Sequence, residues 1–116
     1  MAFPEWAKWV AIALVFAVFV YTRFAGKTSS ADARALVASG ARLVDVRTPG
    51  EYQSAHIEGA LNVPLDQLSA RMAELGPKDG AIVVYCQSGG RSGSAASMLR
   101  SAGFTRVSDL GAMSRW

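Results

Sequence analysis

A chain of 116 residues has room for one domain, and its single cysteine excludes an internal disulfide; one histidine beside that cysteine falls short of a zinc ligand set. The net charge of +3 divides unevenly, with +2 before Thr28 and +1 over the remaining 89 residues. No basic cluster survives that division, so a pI of 9.4 is no sign of a nucleic-acid partner.

The first element is apolar. Residues 9–22 carry no charge, and fourteen residues span ~21 Å as a helix against a ~30 Å hydrocarbon core. The flanks extend it, because Pro4 suits a first helical turn and Gly26 a C-terminal cap. One helix from Phe3 to Gly26 is therefore expected, crossing a membrane through residues 4–26. Lys8 and Arg23 stand near its ends, where long side chains snorkel, and Trp6, Trp9 and Tyr21 stand where aromatic belts form. A cleaved signal peptide is the alternative, with Ala31-Asp32-Ala33 as a small-x-small site. That site lies far from the apolar run, and Arg23 and Lys27 follow the run instead of preceding it. The excess of Arg and Lys after the run (Arg23, Lys27, Arg34, Arg42) directs the globular part to the cytoplasm from an inner or plasma membrane. A reducing compartment suits a lone thiol.

Lys27 to Ser30 reads as a polar linker, dividing an anchor (1–27) from a globular domain (28–116). Ser30 is placed to cap a helix over Ala31–Ser39 that Gly40 ends. Arg42–Val46 reads as a strand, and Thr48 caps a short helix with Pro49 in its first turn. A short strand over Ala60–Val63 stops at Pro64. Apolar residues 68, 72 and 75 predict a helix over Asp66–Leu75. After a turn at residues 76–80, Ala81–Tyr85 is continuously apolar, as in a strand buried on both faces. A helix over Ser92–Ala102, a strand over Arg106–Leu110 and a last turn over Ala112–Trp116 follow. Alternating strands and helices define an α/β fold: a parallel sheet core with helices on both faces, preceded by the transmembrane helix. Ligands of such sheets bind at the carboxyl ends of the strands, and Cys86 follows directly on the most apolar one.

The stretch Cys86-Gln87-Ser88-Gly89-Gly90-Arg91-Ser92 joins that strand to a helix. Lone cysteines are usually apolar filler. Here two glycines let the backbone curl so that N–H groups turn inward, and the next helix points its positive end at the same place. A thiolate is stabilised in such a cradle, as is a bound oxyanion, and Arg91 is placed to grip a sulfonate.

These residues resemble the rhodanese family over about Ala35 to Trp116. Leu43-Val44-Asp45-Val46-Arg47 with Glu51-Tyr52 is similar to that family's first core strand and the helix after it. His56-Ile57-Glu58-Gly59-Ala60, then Asn62-Val63-Pro64, is similar to its N-terminal signature, and Cys86–Ser92 with Gly103-Phe104 to its active-site loop and following helix. Leu110-Gly111-Ala112…Trp116 resembles the closing motif, although a second glycine is more usual than Ala112. Relatives continue a few residues further, so the last turn is expected to be weakly held.

The resemblance implies sulfur transfer by a ping-pong route without cofactor or metal. Cys86 takes the outer sulfur of a small donor such as thiosulfate and carries it as a persulfide. The cradle is Gln87, Ser88, Gly89, Gly90 and Arg91. An external thiol, cyanide or a protein acceptor then removes the sulfur, because the chain has no second cysteine. Two other readings share the fold: a sulfur carrier that does not turn over, and a phosphatase or arsenate reductase. Related phosphatases place five residues between cysteine and arginine where this chain has four. His56 is expected to be structural, since an ionised thiol needs no base, and Asp45, Arg47 and Glu51 are expected to hold loops in place.

Overall fold

In a computed structural model, residues 3–24 and 26–116 are described, with side chains outside residues 19–24. Four strands form the sheet: β1 (Arg42–Asp45), β2 (Leu61–Asn62), β3 (Ile82–Cys86) and β4 (Val107–Ala112). They lie in the order β2-β1-β3-β4, and every pairing is parallel. Hydrogen-bonded strands on both sides explain why β3 has no polar face; all five of its residues are buried.

Side chains alternate along β3, and the core divides accordingly. Ile82, Val84 and Cys86 join one apolar cluster with Ala95, Ala96 and Leu99 of helix α4 (Gly90–Ser101), together with Leu68, Leu75 and Phe104. Val83 and Tyr85 join the other with Ala33 of helix α2 (Ser30–Ala38), Ile57 and Leu110; Tyr52 of helix α3 (Pro49–Ser54) packs at its edge. The α/β sandwich expected from the alternation of elements is therefore present, and Cys86 faces the α4 side.

The capping chemistry is local. Ser29 starts α2 by accepting the Asp32 N–H at 3.1 Å, one residue before the expected cap. Thr48 and Glu51 form a reciprocal capping box on α3, with Pro49 in its first turn. Residues 66–75 differ from expectation. In place of one helix they form two 3-10 turns, Leu65–Gln67 and Met72–Leu75. Leu68 and Leu75 are buried and Met72 half-buried, so the apolar spacing marked the core positions but not the backbone that delivers them. Strand β4 also continues past Leu110 through a register shift, where Val84 pairs with Asp109 and Tyr85 with Gly111. The last turn is better tied than expected. The Trp116 carbonyl accepts from Ser30 at 2.9 Å and from Arg34 at 2.6 Å, and the Arg34 guanidinium lies 4.7 Å from the Trp116 ring centre.

Ahead of the sheet stands a twenty-residue helix, α1 (Glu5–Phe24). Among the described residues, no helix is long and apolar enough to cross a membrane. The expected span over residues 4–26 therefore finds no support among the described residues. Lys8 pairs with Glu5 at 2.9 Å. The interfacial places expected of Tyr21 and Arg23 lie outside the described side chains.

Leu99 is fully buried between α4 and the sheet. Leu99→Ala should lower stability by about 2–5 kcal/mol, read as a reduced midpoint in chemical denaturation with an unchanged slope.

Candidate active site

Cys86 ends β3 at the carboxyl edge of the sheet, where parallel sheets present their loops. Its sulfur is buried, and the Gly89 N–H donates to Sγ at 2.9 Å. Gly89 adopts φ of 105°, a left-handed conformation that a side chain would strain, and no side chain caps α4 behind it. The positive end of α4 therefore opens toward the sulfur with backbone groups alone. Gln87, Ser88 and Gly90 are exposed around the loop, while Gly89 and Arg91 are half-buried.

Two ion pairs brace this loop. Arg47 donates to Asp45 from Nε at 3.1 Å to each oxygen and from Nη2 at 2.7 Å. The same guanidinium reaches the Ala55 carbonyl at 2.6 Å and Gln87 Oε1 at 3.0 Å. Asp45 beside it holds the Arg47 guanidinium above its ordinary range. Asn62 Nδ2 donates to the carbonyls of Asp45 and Arg47, both at 3.0 Å, so β2 joins the brace. Beneath it lies Tyr85, whose oxygen accepts the Ile57 N–H at 3.1 Å. Burial pushes the Tyr85 phenol above its usual range. The loop-holding role expected of Asp45 and Arg47 matches this geometry, with Gln87 as the loop residue they hold.

The second pair joins Glu51 of α3 to Arg91. Its Nη1 and Nη2 donate to the two oxygens of Glu51, at 2.6 and 3.0 Å. The pair sets the Arg91 guanidinium beside a carboxylate at the rim of the loop, with both side chains partly exposed. Arg91, then the Thr48 N–H, holds the Glu51 carboxyl down at about 2. Glu51 thereby caps α3 and fixes Arg91 with one side chain. His56 takes no part: it stacks on Tyr52 with ring centres 3.7 Å apart, and its Nδ1 lies 2.8 Å from the Tyr52 carbonyl.

Lys27 is a site residue that the sequence did not reveal. Read there as linker and flanking charge, it reaches the Gly89 carbonyl at 3.1 Å and Asp109 at 2.5 Å. Sixty-two residues separate Lys27 from Gly89, and no spacing or composition signal connects them. Among the described residues, no group of His, Cys, Asp and Glu is arranged to hold a metal.

A short turn, residues 87–89, that leads from one buried cysteine on a central parallel strand into a helix defines a cysteine-loop α/β domain. The family model for the rhodanese-like domain matches residues 19–116, and the chain belongs to that family. It is 38% identical over 106 residues to an uncharacterized protein of Bacillus subtilis, covering 90% of this chain and 83% of that one. A thiosulfate sulfurtransferase of Escherichia coli is 39% identical over 71 residues, covering 60% of this chain and 68% of its own. A solved Escherichia coli rhodanese with anions superposes with a TM-score of 0.64 at 35% identity, covering 66% of this chain and 92% of that one.

The depressed Glu51 carboxyl gives an acid-stability prediction. A carboxyl held at about 2 when folded and near its model value of 4.5 when unfolded stabilises the fold above 4.5, and that contribution disappears as pH falls toward 2. Glu51→Gln should be less stable than the parent at pH 6. The gap between the two unfolding midpoints should narrow steadily from pH 4.5 downward.

Proposed function

We propose that the chain is a rhodanese-type sulfurtransferase in which Cys86 carries the sulfur as a persulfide. The carrying observation is the Gly89 N–H on Cys86 Sγ at 2.9 Å, at the positive end of α4. The same donor is placed to meet the terminal sulfur of a persulfide. The relative named thiosulfate sulfurtransferase supports thiosulfate as donor. In the first step the Cys86 thiolate attacks the outer sulfur of thiosulfate. The new S–S bond forms as the old one breaks, and sulfite leaves with the bonding pair. In the second, cyanide or an external thiolate attacks the outer sulfur, and the Cys86 thiolate departs. Backbone N–H groups from Gln87 to Gly90 hold the sulfite oxygens in this reading. Arg91 adds positive charge at the rim beside Glu51. Full burial of Cys86 favours a second reading, a carrier that receives sulfur from a docked protein and does not turn over small donors.

Intact-mass measurement after thiosulfate treatment should show a gain of one sulfur that cyanide removes. Cys86→Ser should gain none; equal gain by that variant would defeat the reading. Multiple turnovers of thiosulfate and cyanide separate enzyme from carrier. Phosphate transfer needs three equatorial oxygens held at once, and one donor fewer typically costs ~3–4 kcal/mol. Hydrolysis of an aryl phosphate should therefore be slower than thiosulfate turnover by at least about a hundredfold.

Residues 4–26 act as a single-pass anchor, with the domain in the cytoplasm. Trp9, Ile12, Leu14, Val15, Phe16 and Val18 of α1 are all exposed, at positions that fall all round the helix. The charge-free stretch that follows Lys8 is apolar on every described face, which suits lipid as its partner. A C-terminal fluorescent-protein fusion should be bright and an alkaline phosphatase fusion silent; the reverse would overturn the orientation.

A further inference from the structure

Gly89 is held from both sides. Its N–H donates to Cys86 Sγ, and its carbonyl accepts the Ser92 hydroxyl at 3.0 Å, the Gly93 N–H at 3.2 Å and the Lys27 ammonium at 3.1 Å. Ser92 and Gly93 belong to α4 and move with it, so they cannot fix the loop against the sheet. Lys27 can. Its ammonium is gripped by Asp109 of β4 at 2.5 Å, and the other Asp109 oxygen accepts the Gly111 N–H at 2.9 Å. The Thr28 N–H donates to the Asp109 carbonyl at 2.7 Å, which pins the backbone beside Lys27 to the same strand. The ion pair is largely shielded, with side-chain exposures of 13% and 6%. The lysine stem lies along Gly111, where an added Cβ would stand 3.4 Å from Lys27 Cδ.

We infer that Lys27 is the positioning residue of the Cys86 loop: held on β4 by Asp109, its ammonium fixes the Gly89 carbonyl and so keeps the Gly89 N–H on the sulfur. A single Cα separates that carbonyl from that N–H. Glycine has no Cβ to restrict rotation there, and its φ of 105° is one of several conformations open to it. A contact from outside the helix selects among them. β4 is the strand paired with β3, so the clamp refers the donor to the strand that carries the thiol. The other charges around the loop are paired elsewhere, Arg91 with Glu51 and Arg47 with Asp45. The functional meaning of the clamp rests on the sulfur-transfer reading above; its geometry does not.

Alkylation by iodoacetamide tests it on the full chain, because Cys86 is the sole cysteine. Rates from pH 5 to 9, with unfolding midpoints, are compared for the parent, Lys27→Met, Lys27→Arg and the remote control Arg34→Met. Lys27→Met should change the profile, with a roughly tenfold slower reaction over the acid part of the range. Lys27→Arg, which keeps charge and donors, should recover the rate to within about threefold of the parent. Arg34→Met, which removes one of the donors to the Trp116 carbonyl and leaves Ser30, should lower the unfolding midpoint only. A folded Lys27→Met with the parental profile overturns the inference, even if its unfolding midpoint falls. Should Lys27→Met not fold, Lys27→Gln decides: a shift in the same direction supports the clamp and an unmoved profile overturns it. The readout uses no sulfur donor. A chain that takes up no sulfur yet shows the shift would lose the sulfurtransferase reading and keep the clamp.

Discussion

The burial of β3 on both faces is the constraint from which the site follows. A strand hydrogen-bonded to β1 on one side and β4 on the other, with apolar layers above and below, can only emerge at its end. Cys86 is the last residue of that run, so its sulfur stays in the core while the next residue is already exposed. A polar atom in an apolar core is costly unless a partner meets it. The chain meets it by starting a helix four residues later through a left-handed glycine, so that a backbone N–H and the helix dipole supply what water would have.

The charged residues nearby work as paired braces. Arg47 with Asp45, Arg91 with Glu51 and Lys27 with Asp109 each tie the loop to a different part of the scaffold: β1, α3 and β4. Among the described residues, no buried side-chain nitrogen or oxygen lacks a partner. Removing either member of the Arg47–Asp45 pair would leave a charge in the core without compensation, which is why such pairs are costly to break. A loop braced on three sides holds its backbone donors in place with little room to reorganise, which is what electrostatic preorganisation requires.

What was legible in the sequence followed from short-range physics. The apolar run at 81–85, the glycines at 89 and 90, and the Thr48-Pro49-x-Glu51 start of α3 each encode their own backbone. They give the sheet, the position of Cys86 and the loop. The loop-bracing parts of Asp45, Arg47 and Glu51 were also foreseen. The commitment of Arg91 to Glu51 was not, because the two are forty residues apart and either could have faced solvent. Residues 66–75 misled because spacings of three and four suit 3-10 turns and α-helices alike once only the buried positions are counted. The register shift at Gly111 has no periodic signal, since the extra residue is absorbed by one glycine.

The connector ahead of α2 joins these points. Gly26 turns the chain with φ of 78°, and Lys27 bridges Asp109 in parallel, beside the open edge of β4. Exposed sheet edges invite pairing with other chains, and covering them with a loop is one protection. Here the covering loop also delivers the ammonium that reaches Gly89. Sealing the edge and holding the active-site loop are therefore one structural act, and the family match beginning at residue 19 includes the residues that perform it. A domain cut to begin at Thr28 would keep Cys86, the braces on β1 and α3, and all of the sheet. It would lose the Lys27 tie between the sulfur's donor and β4.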